Sequence, residues 1–167
     1  DTGGRLVRFG HDEIGRLSSV TDTMGGVSHY TYQEQGWHML SKTDQLGKTV
    51  FTNTYDSRGR VIHQVNNLGQ DIELSYALVP DTEGLTTGSK GAPYLLITTA
   101  TDQIGAQATY TYGADGLLRR MVDPAGAVTT FENYTSTRKP QRVIDGLGRV
   151  TTFTYNAQGE ALTVTNA

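Results

Sequence analysis

The sequence predicts an all-β protein, an array of antiparallel β-hairpins joined into a curved sheet. Three observations carry this expectation. A four-residue turn signature recurs at a near-constant interval. Glycine supplies 20 of 167 residues, about 12% against a usual ~7%. The stretches between signatures alternate their side chains with the period of two that marks a strand.

The signature is Asp-x-x-Gly, at Asp1–Gly4, Asp22–Gly25, Asp44–Gly47, Asp102–Gly105, Asp123–Gly126 and Asp145–Gly148, with Asn66–Gly69 as the same tetrad and Asn166 opening a further copy. First positions are separated by 21, 22, 22, 36, 21, 22 and 21 residues, and self-similarity of this kind identifies a repeat architecture. A second landmark follows each tetrad glycine by seven or eight residues: His11, then Tyr32, Tyr55, Tyr76, Tyr112, Tyr134 and Tyr155. Four residues further on stands another glycine in five copies, Gly15, Gly36, Gly59, Gly116 and Gly159, with Pro80 and Arg138 in the other two. Residues 1–167 thus read as a single array of about seven units of 21–22 residues.

Each part of the unit has a physical reason. Asp or Asn at the first place of a turn accepts backbone N–H groups, and glycine at the fourth supplies the left-handed conformation. Pro124 has the φ that the second place prefers. Val27–Tyr32, Ala108–Tyr112 and Val150–Tyr155 alternate as strands. One hairpin is too small to stand alone, so stacked copies are expected to form ladders. Tyr30 and Tyr32, Leu74 and Tyr76, Tyr110 and Tyr112, and Phe153 and Tyr155 make one ladder. Leu17, Met39, Val61, Ile97, Leu118, Pro140 and Ala161 make another. Such cross-strand pairs contribute roughly 0.2–1 kcal/mol each. The units of Tyr55 and Tyr134 hold one extra residue between glycine and tyrosine, which predicts β-bulges there. The one long spacing holds about 14 extra residues, read as an exposed Gly/Pro/Thr-rich loop at about 79–93 between strands Ile72–Tyr76 and Leu95–Thr101.

Composition excludes several functions. Lys plus Arg is 14 and Asp plus Glu is 17, a net charge of −3, so neither nucleic acid nor an acidic membrane is expected as a bulk-charge partner. No run of 18 apolar residues exists for a helical membrane span. Without cysteine there is no disulfide, thiolate nucleophile or Cys-ligated zinc. The sequence opens on Asp1 with no Met and no apolar leader, and reads as a piece of something longer.

The motifs Tyr55-Asp56-Ser57-Arg58-Gly59-Arg60-Val61 and Asp145-Gly146-Leu147-Gly148-Arg149-Val150-Thr151-Thr152-Phe153-Thr154-Tyr155-Asn156 resemble the Rhs/YD-repeat family, and the resemblance covers essentially the whole chain outside the insertion. Members include bacterial polymorphic toxins, the C subunits of insecticidal toxin complexes, animal teneurins and wall-associated bacterial proteins. The resemblance implies a fragment of an Rhs β-shell, a hollow wall enclosing a C-terminal toxic domain. It implies adjacent repeats and an encapsulated toxin domain as partners, and a secreted or cell-surface location. The family's self-cleavage signal is D-P-x-G-L after an upstream proline. Asp123-Pro124-Ala125-Gly126 approaches it, but Ala127 replaces the leucine and residues 117–122 hold no proline, so the segment is read as one more turn.

No other pattern carries chemistry. His11, His29, His38 and His63 lack ligand spacing, and each turn offers one carboxylate where calcium needs six to eight oxygens. No G-x-S-x-G elbow occurs. Neither metal nor cofactor is expected, and no enzyme. The repeat is broken at Trp37-His38, at the insertion and at residues 135–140, where function on loops would sit. A second reading is a carbohydrate- or protein-binding module with Tyr30, Trp37 and Tyr110 on an aromatic face, or with the 79–93 loop as its contact. Arg5, Arg8, Arg16, Arg58, Arg60, Arg119 and Arg120 flank turns among acids and are read as solvated turn edges. Unpaired end strands predict edge-to-edge self-association.

Overall fold

Alternating side chains and evenly spaced reversals leave the backbone one economical solution, in which each stretch pairs with the stretch before it and the stretch after it. The computed structural model describes residues 6–86 and 94–166. Within them lie fourteen β-strands and no helix. The first compact unit, Asp1–Leu74, carries β1 (Arg8–His11), β2 (Leu17–Thr21), β3 (Val27–Tyr32), β4 (Met39–Thr43), β5 (Thr49–Tyr55) and β6 (Val61–Asn66). β7 (Asp71–Pro80) begins in that unit and ends in the second, Ser75–Ala167. The second unit continues with β8 (Tyr94–Asp102), β9 (Gln107–Tyr112), β10 (Leu118–Val122), β11 (Val128–Tyr134), β12 (Pro140–Ile144), β13 (Val150–Tyr155) and β14 (Ala161–Asn166). Strand order in the sheet is the order of the sequence.

Two classes of turn alternate. In the first, Asp22 donates its N–H to Gly26 O at 2.9 Å and Gly25 donates to Asp22 O at 3.2 Å. Asp22 Oδ1 accepts from the N–H groups of Met24 and Gly26. Asp44, Asn66, Asp102, Asp123 and Asp145 repeat both features. Gly25, Gly47, Gly69, Gly105, Gly126 and Gly148 all have φ between 73° and 87°. The second class follows β1, β3, β5, β9, β11 and β13, where Asp12, Asp56 and Asn156 accept backbone N–H groups in the same way. Gly15, Gly36, Gly59, Gly116 and Gly159 are left-handed there, and Arg138 takes the same conformation at φ 64°. Asp1 and Gly4 lie outside the described residues.

Register slips are more regular than the residue count predicts. Gly10 pairs with Ser19 and His11 with Leu17, so Ser18 is extra. The same slip sets aside Leu40, Ile62, Arg119 and Leu162 in later hairpins. In the Tyr55 unit the additional residue is Val50, between the pairs Lys42↔Phe51 and Thr43↔Thr49. The Tyr134 unit absorbs its extra residue differently. Glu132↔Arg142 and Tyr134↔Pro140 keep one register, and Asn133 between them has φ 52°.

Most side chains remain partly exposed. In β3 the Tyr30 and Tyr32 face is half-buried while His29 and Thr31 are exposed; β13 repeats this with Phe153 and Tyr155 against Thr152 and Thr154. Phe153 and Tyr155 stack with ring centroids 6.3 Å apart. Among the described residues, Leu95 is the buried hydrophobic side chain. Val79 and Leu85 of the insertion line the same concavity as Leu95. β7 runs on to Pro80, beyond the strand expected from the sequence, and 81–86 then returns over the face of β8–β10. Asp81 closes this segment by accepting from the N–H groups of Leu85 at 3.0 Å and Thr86 at 2.8 Å. The expectation of a loop exposed throughout is therefore corrected at Asp81, Leu85 and Thr86, which are half-buried.

Candidate functional site

The late start of each ladder between successive hairpins creates the need that the tyrosines meet. The ladder between β2 and β3 begins at Ser19↔His29, so the Leu17 carbonyl, two residues earlier, lies beyond it. A half-buried carbonyl without a partner is costly. Tyr32 Oη donates to Leu17 O at 2.8 Å. Tyr55 Oη donates to Met39 O at 2.6 Å, Tyr134 Oη to Leu118 O, and Tyr155 Oη to Pro140 O at 2.9 Å. Each hydroxyl thus ties its hairpin to the one before, at the residue of the second apolar ladder. Pro140 is tolerated in that slot because the β12–β13 ladder starts at Arg142↔Thr152, and no N–H is needed from it. Tyr76 and Tyr112 are half-buried at the equivalent slots.

Cations complete the ties. Arg16 Cζ lies 4.8 Å from the Tyr32 ring centroid, and its Nη1 donates to Gln33 O at 2.8 Å and Gly36 O at 2.6 Å. Arg119 Cζ lies 5.1 Å from the Tyr134 ring and its Nη2 reaches Asp115 Oδ2 at 2.5 Å. Burial pushes the Tyr134 phenol up, against the opposing pull of the Arg119 charge. Arg138 Nη2 donates to the carbonyls of Asp115 and Gly116 at 3.2 and 3.4 Å. The reading of these arginines as solvated edges is corrected for Arg16 and Arg119, whose side chains are 12% and 9% exposed. For Arg16 the available signal was its place directly after the turn glycine and four residues after Asp12; Arg119 stands three residues after Gly116 and carried no such signal.

The three proposed ligand-face residues are divided between the two compact units, Tyr30 and Trp37 in the first and Tyr110 in the second. Tyr30 is half-buried with Lys42 Nζ 5.9 Å from its ring centroid. Trp37 is exposed on a turn one residue longer than its equivalents, closed by Gln33 N–H to His38 O at 2.9 Å. Tyr110 belongs to the second unit, half-buried between Thr98 and Met121. The His38 ring lies against the Tyr55 ring, tilted by 47° with centroids 4.9 Å apart, and His63 Nε2 meets Asp71 Oδ2 at 3.1 Å. Among the described residues no three His, Asp or Glu side chains converge as metal ligands.

Concavities lie beneath the inserted segment. One of about 320 Å³ is lined by Val79, Leu85, Leu95, Ile97, Thr111 and Arg120. Another of about 360 Å³ is lined by Glu83, Leu85, Arg119, Phe131, Glu132 and Asn133. The Arg120 guanidinium donates to both Glu83 oxygens, at 3.3 Å from Nη1 to Oε1 and closer from Nη2 to Oε2, and this pair holds the Glu83 carboxyl below its ordinary range. Every charge here already has a partner of opposite sign, so the arrangement supplies packing and closure of the segment.

No protein-family model matches the sequence. Among solved structures, the chain is similar to the crystal structure of TcdB2-TccC3-Cdc42 at 10% identity and a TM-score of 0.41, covering 96% of this chain and 10% of that one. It is similar to TcdB2-TccC3 at 11% identity and a TM-score of 0.40, again over 96% of this chain and 10% of that one. For the Photorhabdus luminescens Tc holotoxin pore the values are 10% identity, a TM-score of 0.22, and 93% and 14% coverage. The chain spans about a tenth of the length of the first two of these chains.

Proposed function

We propose that this chain is a non-catalytic structural segment of an Rhs/YD-repeat protein, a stretch of β-shell that helps enclose a C-terminal toxin domain for secretion or delivery. The observation carrying the reading is the tie from each tyrosine hydroxyl to the preceding hairpin, seen at Tyr32, Tyr55, Tyr134 and Tyr155. A single sheet without a thick core gains its continuity from such links, so added hairpins lengthen a wall without requiring a new core. The YD motifs at Tyr55–Val61 and Asp145–Asn156 supply the family to which such a wall belongs. Containment then works by steric exclusion, with adjacent repeats and the enclosed cargo as partners, at a secreted or surface location.

The test is made on the full-length parent protein. Removal of residues 6–166 is expected to leave the cargo domain open to added protease and harmful to the producing cell. Unchanged protease protection and unchanged tolerance would overturn the reading.

A further inference from the structure

Apart from the longer turn opened by Gln33, the two turn classes share their backbone bonds, but outside Ile14 they differ in tip chemistry. At the third position, the turns opened by Asp22, Asp44, Asn66, Asp102, Asp123 and Asp145 carry Met24, Leu46, Leu68, Ile104, Ala125 and Leu147. The other class carries Ile14, Gln35, Arg58, Asp115, Thr137 and Gln158. Turn geometry does not impose this difference, since Arg58 and Leu46 make the same N–H bond to their turn carboxylate, both at 2.9 Å. The large apolar tips are also unsheltered: Met24, Leu46, Leu68, Ile104 and Leu147 are 75–94% exposed. Exposed aliphatic side chains recurring in one slot along the rim of each unit mark an interaction surface there.

We infer that this apolar rim is a contact surface for the same rim of a second copy of the chain. Within the first unit, the tips of Met24, Leu46 and Leu68 stand on every second strand, about 9.5 Å apart, a gap that admits one aliphatic side chain from an equally spaced row. Such a row is found on the same rim of another copy, so a two-fold arrangement is commensurate with itself. Beside each tip the glycine is open: a Cβ at Gly25, Gly47 or Gly69 would meet nothing within 4 Å. The second tip positions, Thr23, Gln45 and Asn67, are uncharged. Asp22 and Asp44 turn Oδ1 inward to their own N–H groups, and Lys48, exposed beside the central tip, supplies the opposite charge for the carboxylates of the second copy. The acidic fringe argues against an anionic lipid surface as occupant. The second unit repeats the chemistry at Ile104 and Leu147. The inference concerns the rim alone and does not depend on the containment reading.

The chain has no cysteine, so a single introduced thiol reports the contact. Under mild oxidation the Leu46→Cys protein is expected to form a disulfide-linked dimer, whereas Arg58→Cys, on the opposite rim, is expected to stay monomeric. In sedimentation experiments without cross-linking, a concentration-dependent dimer is expected whose Kd rises at least tenfold in Leu46→Gln/Leu68→Gln. Thermal melting run alongside checks that the variant is folded. Equal cross-linking of both thiols overturns the inference, as does a dimer untouched by the double substitution, which would place association at the β1 or β14 edge. A wild-type chain that stays monomeric yet floats with phosphatidylcholine vesicles also overturns it.

Discussion

The hydroxyl of Tyr55 and the side-chain amide of Asn53 converge on one acceptor, the main-chain carbonyl of Met39, at 2.6 and 3.1 Å. Tyr155 serves Pro140 O at 2.9 Å, and Thr154, the neighbour on its strand, points to the opposite face. Tyr155→Phe is therefore expected to cost about 1 kcal/mol, and Tyr55→Phe about half as much because Asn53 remains to satisfy the carbonyl. Urea denaturation midpoints of the two variants measure the difference. Equal losses would contradict the shared-acceptor account.

Gly59 and Gly47 have nearly equal φ, 75° and 76°, but different surroundings. A Cβ at Gly59 would lie 2.3 Å from His38 Nε2, whereas one at Gly47 meets nothing within 4 Å. Both Gly→Ala changes incur the left-handed penalty, about 1 kcal/mol. Gly59→Ala must in addition displace the His38 ring, which is packed against Tyr55, so its melting temperature is expected to fall further. A double-mutant cycle with His38→Ala should abolish the excess.

Arg138 occupies a glycine slot at φ 64°. Arg138→Gly and Arg138→Ala both delete the long bonds to Asp115 O and Gly116 O. They differ in backbone freedom. The glycine variant is expected to be the more stable by about 1 kcal/mol, read from the separation of their denaturation midpoints.

Acid tolerance follows from the turn carboxylates. The backbone N–H of Arg60, then its side chain, holds the Asp56 carboxyl below its ordinary range, and the Arg149 side chain does the same for Asp145. A carboxyl lowered on folding stabilises the native state above its unfolded pKa, and that contribution is lost as pH falls through the lowered value. Melting temperature should therefore be flat near neutrality and decline below about pH 4, the ordinary carboxylate range. Asp56→Asn keeps an oxygen acceptor for the turn, as Asn66 and Asn156 do, but does not titrate. Its acid decline is expected to be shallower than that of the wild type.

The all-β antiparallel meander was legible because its signals are local. Residues such as Val150 to Tyr155 alternate within a single strand, and the reversals depend on a side chain and a glycine three residues apart. The acceptors of the tyrosine hydroxyls were not legible, because they lie 15 or 16 residues away and are left free only because the ladder to the next hairpin starts two residues further on, at Ser19, Ser41, Arg120 and Arg142. A residue count found the extra positions in the Tyr55 and Tyr134 units, yet could not tell that Val50 would interrupt a ladder while Asn133 would preserve one. Arg16 and Arg119 resembled solvent-facing charge because cation–π cover comes from the following hairpin. The return of 81–86 over Leu95 depends on a contact between Glu83 and Arg120, 37 positions apart. The division between the compact units falls inside β7, where Leu74 and Ser75 carry on the alternation without any shift in composition.

Consecutive pairing also determines how the molecule comes apart. Among the described residues each strand pairs with its neighbours in sequence, so tension applied at the two ends should unravel the sheet from an end in hairpin-sized increments, with a tyrosine tie surrendered at Tyr32, Tyr55, Tyr134 and Tyr155. Recovery can retrace the same increments, because closing the next hairpin asks the chain to search only its nearest neighbours.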